Sequence, residues 1–460
     1  MAKYRQALIL YNIKEREFLI AQMTADVLRE QGLADEVIIG QVYEVIYHIY
    51  DYEPELVISC LPRDDYSTAM FTMVKLVHRC AWVSIPPEGF MALEAGKMKQ
   101  VTGFNRQPKE LVDRVMFWGS GLAKAAGQLM LENGKISSGE RIGIFGYLPY
   151  EDGVIRKYRE ETEQVRQIKK RTGEYRRTVM AVTARMAIPV PLQEFEKLYD
   201  PNDREQNERV RKRHNSNEYF ADRYIQLLKK VAEQNEDILF LIKLHPRDIR
   251  TMHARDLQKT RFDELKSVPN ICLIDEPVQI STYFDCIDLL IHYGSTTAME
   301  AYIYGIPTIG IMNDHPDTQY DSLGRANFYA DRRFDVGRAA EVSACVRQGL
   351  SFDGNEETAK ALKRYMNYRE GEPYQPSLLL AEQIRKLPES QLLSTGDPEV
   401  RTALGRRNAL KCRFVFRLRR MKGLFTGHKD ESMRILSWLK RYREACRGRV
   451  TALPPNGSSQ

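Results

Sequence analysis

The sequence predicts an α/β fold built from two Rossmann-like, doubly wound domains that face a central crevice. Three observations predict it. The 460 residues are enough for two separate cores. Two series of short apolar runs alternate with amphipathic stretches, and a highly charged stretch separates the two series. Because strands that alternate with helices form parallel sheets covered by helices, each series predicts one such domain.

The first series predicts an N-terminal domain over residues 1–150. We expect this domain to bind the acceptor substrate. Its apolar runs are four to six residues long and end at turn-forming or polar residues, as buried strands do. The predicted strands are residues 6–11, 56–60, 82–85, 115–118 and 142–145. Residues 15–30 and 67–79 have apolar side chains at the three- and four-residue spacing of amphipathic helices. A charged linker is predicted over residues 151–177.

The second series predicts a nucleotide-binding domain over residues 178–385. Its predicted strands are residues 178–182, 238–244, 271–274, 289–292 and 308–311, and its predicted helices are residues 218–233, 278–285, 297–304 and 339–348. In open sheets of this kind, ligands bind at the carboxyl ends of the strands. We therefore expect the functional residues to follow those strands.

A basic amphipathic tail is predicted over residues 386–460. Residues 401–450 carry a net charge of +13, against +7 for the whole chain, so the remainder carries −6. Near the end of the tail, Ile435, Trp438 and Leu439 fall on one side of a helix and Arg434 and Arg441 on another. Such a segment binds an anionic membrane surface. The alternatives are a solvated helix and a nucleic-acid site, and the acidic remainder with no nucleic-acid motif favours the membrane.

The chain is expected to be cytoplasmic and peripheral at the inner face of the plasma membrane. No run of 18 or more uncharged apolar residues is present, and the first apolar run is too short for a secretory signal. The seven cysteines show no metal-ligand spacing and are expected to be reduced thiols.

One candidate anion site lies where an apolar strand ends and a helix begins. The strand leads through Gly294 into three hydroxyl residues at the predicted helix start. Backbone N–H groups at such a helix start bind anions, although Ser and Thr are also favoured there as ordinary caps. Glu300 lies in the first turns of the predicted helix, where its carboxylate can reach a ribose. The candidate donor-binding residues in this segment are His292, Gly294, Ser295, Thr296, Thr297 and Glu300.

A second candidate lies at the end of the strand that precedes Pro246. The proline biases His245 towards an extended backbone, which directs it out of the carboxyl edge of the sheet beside Lys243 and Arg247. An imidazole there can neutralise or protonate a departing phosphate. The alternative is a surface-loop histidine.

Taken together, these motifs resemble those of a known group. Lys-Leu-His-Pro-Arg at 243–247, His-Tyr-Gly-Ser-Thr-Thr-Ala-Met-Glu-Ala at 292–301 and Tyr-Gly-Ile-Pro-Thr at 304–308 are similar to the donor-binding half of GT-B transferases for surface carbohydrates and capsules. That group includes Kdo transferases, polysialyltransferases and teichoic-acid glycerophosphotransferases. The resemblance covers about residues 178–385. It implies that His245 contacts the donor phosphate, Ser295 and Thr296 the phosphate or sugar, and Glu300 the ribose.

In the first domain, Glu88 follows a predicted buried strand and precedes Gly89. A carboxylate in that position suits a general base that activates an acceptor hydroxyl. The pair also resembles the acid–glycine motif of sialyl- and polysialyltransferases, although the residue before the acid is Pro87. Asp64 and Asp65 are the substitute acids, and a solvated turn glutamate is the structural alternative.

The expected function is metal-independent transfer of a sugar from a nucleotide donor to a bacterial surface polysaccharide, such as capsule or lipopolysaccharide, or to a lipid-linked glycan. No Asp-X-Asp pair or dinucleotide-binding glycine motif is present, so no metal and no cofactor besides the nucleotide-sugar co-substrate is expected. A CMP-linked acidic sugar such as Kdo is the favoured donor, and UDP-sugars stay open. Three other functions also stay open: a CDP-glycerol-type glycerophosphotransferase, a non-hydrolysing nucleotide-sugar epimerase, and a non-catalytic membrane-associated scaffold.

Overall fold

The structure is a computed structural model. It describes residues 2–404 except 13, 61–64, 87–107, 109–110, 160, 185, 190, 197–202, 258, 277, 319–329, 355 and 394–396, and it also describes residues 440, 442 and 444. The chain divides into two compact units: Met1–Val154 with Lys363–Gln460, and Ile155–Leu362.

The first unit contains a six-stranded sheet in which every pair of neighbouring strands is parallel. Its strands are Tyr4–Tyr11 (β1), Ala34–Gln41 (β2), Leu56–Ser59 (β3), Ala81–Ser84 (β4), Arg114–Phe117 (β5) and Ile142–Ile144 (β6), in the order β2-β1-β3-β4-β5-β6. The connecting helices are Lys14–Glu30 (α1), Val45–Tyr52 (α2), Asp65–Val77 (α3), Ser120–Glu132 (α4) and Asp152–Ile155 (α5). Residues of β3 and β4 are all buried, which is why these strands read as continuous apolar runs.

The second unit contains another six-stranded parallel sheet. Its strands are Arg177–Val182 (β7), Ile238–Lys243 (β8), Ile271–Ile274 (β9), Leu289–His292 (β10), Thr308–Met312 (β11) and Arg332–Asp335 (β12), in the order β12-β11-β10-β7-β8-β9. Its helices are Glu163–Thr172 (α6), Leu192–Glu196 (α7), Arg204–Glu233 (α8), Pro246–Arg255 (α9), Thr297–Ile303 (α10), Ala339–Gln348 (α11) and the beginning of Glu356–Met366 (α12). Apolar residues are buried on both faces of this sheet. The prediction of two doubly wound α/β units is therefore confirmed.

After α12 the chain returns to the first unit, where helices Pro376–Arg385 (α13) and Pro398–Ala403 (α14) lie. Lys3 Nζ donates hydrogen bonds to the carbonyls of Ile384, Arg385 and Leu387 at the end of α13. A lysine satisfies the last carbonyls of a helix in this way. The second unit accordingly ends at Leu362, whereas the sequence analysis extends the second domain to residue 385.

The predicted charged linker at 151–177 also differs in the structure. It contains α6, on which Val165 and Ile168 are buried in the core of the second unit. The other residues of that helix are charged or polar, so composition alone hides its two core positions. The predicted tail begins with residues that pack on the first unit, since Leu387, Leu393 and Val400 are buried. Most of the basic stretch 401–450 lies outside the described residues.

Candidate functional site

The candidate site lies at the carboxyl ends of three adjacent strands of the second unit, in the order β10-β7-β8. From β7 the chain moves to β8 and β9 on one side, and then crosses to β10 on the other side. The boundary between β7 and β10 is thus the switch point of the sheet, where ligands bind in folds of this kind. The candidate residues from the sequence lie in the segments that follow β10 and β8. Since β7 lies between these two strands, the strands are about 10 Å apart.

The turn after β10 has a left-handed backbone shape that favours glycine. Gly294 has φ of +53°, in the left-handed region. Ser295 Oγ accepts a hydrogen bond from the Thr297 N–H at 3.2 Å and lies 3.0 Å from Thr297 Oγ1. Gly294 and Thr296 are exposed, whereas Ser295 and Thr297 are half-buried. The turn therefore presents polar groups at the edge of the sheet, and α10 starts directly behind it.

Glu300 is a buried carboxyl group one turn into α10. Its residue is 9% exposed, and its carboxyl makes no hydrogen bond with any residue in the described part of the chain. Burial raises the pKa of Glu300 to about 8, while the positive charge of Arg159 lowers it in part. The Cα–Cβ bond of Glu300 tilts towards the helix N-terminus, where the Thr296–Thr297 turn lies. At neutral pH it is protonated, so it can both donate and accept a hydrogen bond.

His245 is the N-cap of α9. Its Nδ1 accepts the backbone N–H of Arg247 at 3.1 Å, and its own backbone N–H donates to Thr183 Oγ1 at 3.0 Å. An Nδ1 that accepts a hydrogen bond carries no proton, so in the neutral ring the proton is on Nε2. His245 is half-buried and Arg247 is exposed. The imidazole can therefore donate from Nε2 to a ligand while it keeps the helix capped.

Lys243 and His292 lie on either side of Val182, at the same level across the buried sheet. Val182 of β7 pairs with Lys243, and the pairing of Ile291 with Ala181 puts His292 on the other side of Val182. Lys243 is 5% exposed, and its Nζ donates to the Glu276 carbonyl at 2.7 Å. Burial lowers the pKa of Lys243 to about 8, opposed by the charges of Asp275 and Glu276.

His292 is fully buried. The structure thus places Lys243 and His292 beneath the edge of the sheet, and it places the turn after β10 and His245 at the edge itself.

Three supporting residues were missed by the sequence analysis. Thr183 holds the backbone of His245, Asp248 accepts the Ala187 N–H at 3.0 Å, and Arg159 lowers the pKa of Glu300. Thr183 directly follows a predicted strand, which is a signal that was available. Arg159 had none, because its segment was assigned to a linker.

The first unit has its own candidate pocket. It lies at the carboxyl ends of β1, β3 and β4, and its walls include Ile9, Tyr11, Ile58, Ile85 and Trp118. This edge includes the switch point between β1 and β3. The predicted base Glu88 and its substitute Asp64 lie outside the described residues, and the side chain of Asp65 is likewise not described.

Neither metal nor membrane-spanning features appear in the described part of the chain. It contains no group of three or more His, Cys, Asp or Glu side chains that could hold a metal ion. Nor does it contain a helix with the length and apolarity needed to cross a bilayer.

Comparison with solved structures finds similar chain paths at low sequence identity. The UDP-GlcNAc 2-epimerase of Methanocaldococcus jannaschii, in complex with UDP-GlcNAc and UDP, is 13% identical, with a TM-score of 0.46 over 82% of this chain and 98% of the other. The UDP-GlcNAc 2-epimerase of Neisseria meningitidis bound to UDP-GlcNAc is 11% identical, with a TM-score of 0.47 over 83% and 100%. A glycosyltransferase from Rickettsia africae is 10% identical, with a TM-score of 0.44 over 84% and 99%.

No protein-family model matches the sequence, and no curated protein matches it significantly.

Proposed function

We propose that the second unit binds a nucleotide-sugar donor and that the protein transfers the sugar to a surface glycan. The observation that carries this proposal is Glu300: a buried carboxyl group without a hydrogen-bond partner among the described residues, one turn behind the Gly294–Thr297 turn. A carboxyl group in a mostly buried residue, with no hydrogen bond to the described protein, is suited to bind a polar ligand at a ligand-binding edge. A ribose supplies hydroxyl groups of the right kind.

The donor phosphate binds between the turn after β10 and His245. The hydroxyl residues Ser295, Thr296 and Thr297 follow β10 on one side of this space, and the exposed Arg247 follows His245 on the other. His245 donates a hydrogen bond from Nε2. Because its Nδ1 already caps α9, it acts as a donor to the leaving phosphate and not as the acid that protonates it.

Lys243 and His292 are positioning residues in this proposal. Lys243 ties the end of β8 to the Glu276 carbonyl, which holds the following His245 at the edge of the sheet. His292 ends β10 and leads into the Gly294 turn. Their burial supports this role over direct contact with the phosphate.

In the reaction, the bond between the anomeric carbon and the donor phosphate breaks, and a bond from the acceptor oxygen to that carbon forms. The acceptor proton passes to a carboxylate, for which Glu88 is our choice. The pocket of the first unit, with aromatic and aliphatic walls, receives part of a glycan or lipid-linked acceptor. A CMP-linked acidic sugar is the preferred donor, and the basic stretch 401–450 holds the protein at the inner face of the membrane.

A second candidate function is epimerisation of a nucleotide sugar. The described groups proposed to contact the nucleotide all lie within Ile155–Leu362, and an epimerase needs such a site but no acceptor. Incubation of the protein with a nucleotide sugar alone distinguishes the two. An epimerised product without added acceptor supports the second candidate, whereas unchanged donor supports transfer.

Calorimetric titration with CMP, CDP, UDP and GDP tests the nucleotide site. We expect at least one of them to bind the wild type. His245→Asn keeps an N-cap but loses the imidazole Nε2–H, so its affinity should fall roughly tenfold, as expected for one charge-assisted hydrogen bond of about 1.5 kcal/mol. His245→Asp also keeps the cap but adds negative charge, and should abolish binding.

The matched control is His253→Ala, which removes an exposed histidine from the other end of the same helix and should leave affinity unchanged. The proposal fails if no nucleotide binds the wild type. It also fails if His245→Asp binds as tightly as the wild type, because a carboxylate at that point is incompatible with a phosphate beside it.

A further inference from the structure

Helix α8 is much longer than the strands on which it packs. Its 30 residues span about 45 Å, whereas the six residues of β7 or β8 span about 20 Å. Its C-terminal end leads into β8 through residues 234–237, at the amino edge of the sheet. The excess length therefore extends beyond the carboxyl edge, on the side of the candidate site.

Three contacts show which part of α8 is level with that edge. The Tyr224 hydroxyl donates to the carbonyl of Val182, the last residue of β7, at 3.1 Å. The Phe220 and Tyr293 rings lie 4.1 Å apart between centroids. Asn313 Nδ2, just after β11, donates to Ser216 Oγ at 2.9 Å. Residues 204–215 thus extend past the edge by roughly 18 Å at 1.5 Å per residue.

The extending segment is basic. Residues 204–214 include five Arg or Lys against two Glu. Arg213 lies three residues before Ser216 and seven before Phe220, and these spacings put all three on one face of the helix. That face is the one directed at Tyr293 and at the turn that follows it. Burial raises the pKa of Tyr293, and a hydrogen bond from Asn313 and the charge of Arg213 lower it, so Arg213 is near the phenol.

The acidic residues near Arg213 on α8 interact with other basic residues. Lys212 forms an ion pair with Glu208 at 3.1 Å and is also near Asp317, and Arg209 forms one with Glu205 at 4.0 Å. Arg213 is exposed and makes no hydrogen bond or ion pair with any residue that the structure describes. Its guanidinium is the donor fork that binds phosphate and carboxylate in two-point contacts.

We propose that Arg213 binds a second oxyanion of the donor, beyond the phosphate held at His245 and the Ser295 turn. This inference rests on the proposed nucleotide-sugar function and makes it more specific, because it requires a donor with two anionic groups. The second group is either the β-phosphate of a nucleoside diphosphate or the carboxylate of an acidic sugar linked to CMP.

The experiment compares ligands that carry one or both groups. Calorimetric affinities are measured for UMP and UDP, for CMP and CDP, and for CMP-sialic acid. A preference for UDP or CDP over the monophosphate identifies a β-phosphate, and a preference for CMP-sialic acid over CMP identifies a carboxylate. Arg213→Ala should remove the preference, with a roughly tenfold or greater loss for the ligand with two anions, about 1.4 kcal/mol, and less than about twofold for the monophosphate.

Arg211→Ala is the matched control. Arg211 is exposed on the same helix, two residues away and so on another face, and it also makes no contact with a described partner. It should keep the wild-type preference, and Arg213→Lys should keep part of it. Thermal unfolding of each variant establishes that it is folded.

Equal losses in Arg213→Ala and Arg211→Ala overturn the inference, because they indicate general electrostatic attraction. Equal losses for ligands with one and two anions in Arg213→Ala also overturn it. Both results leave the proposed nucleotide site standing. Failure of the wild type to bind any of these nucleotides overturns the proposed function together with the inference.

Discussion

Replacement of Glu300 by glutamine is expected to change how the stability of the second unit depends on pH. The Glu300 carboxyl is 9% exposed, and burial raises its pKa from 4.5 to about 8. The folded chain therefore holds a proton at neutral pH that the unfolded chain has lost. Glutamine has nearly the same shape, but it does not titrate.

The sign follows from the higher pKa of the folded state. The contribution of Glu300 to stability is fully present below about pH 4.5 and is lost as the pH rises towards about 8. Each pKa unit corresponds to about 1.4 kcal/mol. Between pH 5 and pH 9 the wild type should thus lose about 4 kcal/mol relative to Glu300→Gln, and most of this loss falls between pH 5 and pH 8.

Urea unfolding at pH 5, 7 and 9 measures this difference. All three tryptophans, Trp82, Trp118 and Trp438, lie outside Ile155–Leu362. Their fluorescence reports the first unit, so far-UV circular dichroism and amide hydrogen exchange in β7, β8 and β10 must follow the second. Glu341→Gln, at an exposed glutamate of α11, should show no change over this range. A Glu300→Gln difference that stays within about 0.5 kcal/mol from pH 5 to pH 9 refutes the reasoning.

Two further predictions concern the packing of the first unit, and a third concerns the turn of the site. Lys75→Met should cost about 3–5 kcal/mol of unfolding free energy by tryptophan fluorescence, since it leaves Asp113 buried without the ammonium 2.9 Å away; a loss below about 1 kcal/mol contradicts this. Gly119→Ala should lower the free energy of unfolding by at least about 1–3 kcal/mol, because its Cβ would lie 2.2 Å from the Tyr365 carbonyl carbon. The control Gly139→Ala has open space around it and should cost far less. Gly294→Ala should cost about 1–2 kcal/mol from its φ of +53° and should weaken nucleotide binding; unchanged affinity contradicts a role for the turn.

All ten strands that the sequence predicted occur, and each was predicted from a short apolar run. Central strands such as β3, β4 and β8 are buried along their whole length, which makes their apolar runs continuous. The two missed strands are β2 and β12, at the ends of their sheets. The strand β12 has the sequence Arg-Arg-Phe-Asp, with three exposed residues, so it has no apolar pattern to detect. Only its pairing with β11 makes it a strand.

The candidate site was predictable in position but not in chemistry. Turn residues after apolar strands indicated His245 and the Gly294 segment. The cap that His245 forms with Arg247 was not visible in the sequence, and it puts the proton of the neutral imidazole on Nε2. Nor could the sequence show that Lys243 lies beneath the edge of the sheet, since a lysine that ends an apolar strand reads as an exposed charge.

The inference about Arg213 depends on a helix boundary that periodicity cannot find. The apolar pattern begins at residue 218, because only the part of α8 that packs on the sheet needs apolar side chains. The preceding charged residues are helical without a core to cover. Once the helix is known to begin at Arg204, its extension past the sheet follows from arithmetic, since a helix of 30 residues is longer than a strand of six. Its solvated basic residues then lie at the carboxyl edge of the sheet, where we expect an anionic ligand. Surface exposure alone would not have suggested that this polar extension binds a ligand.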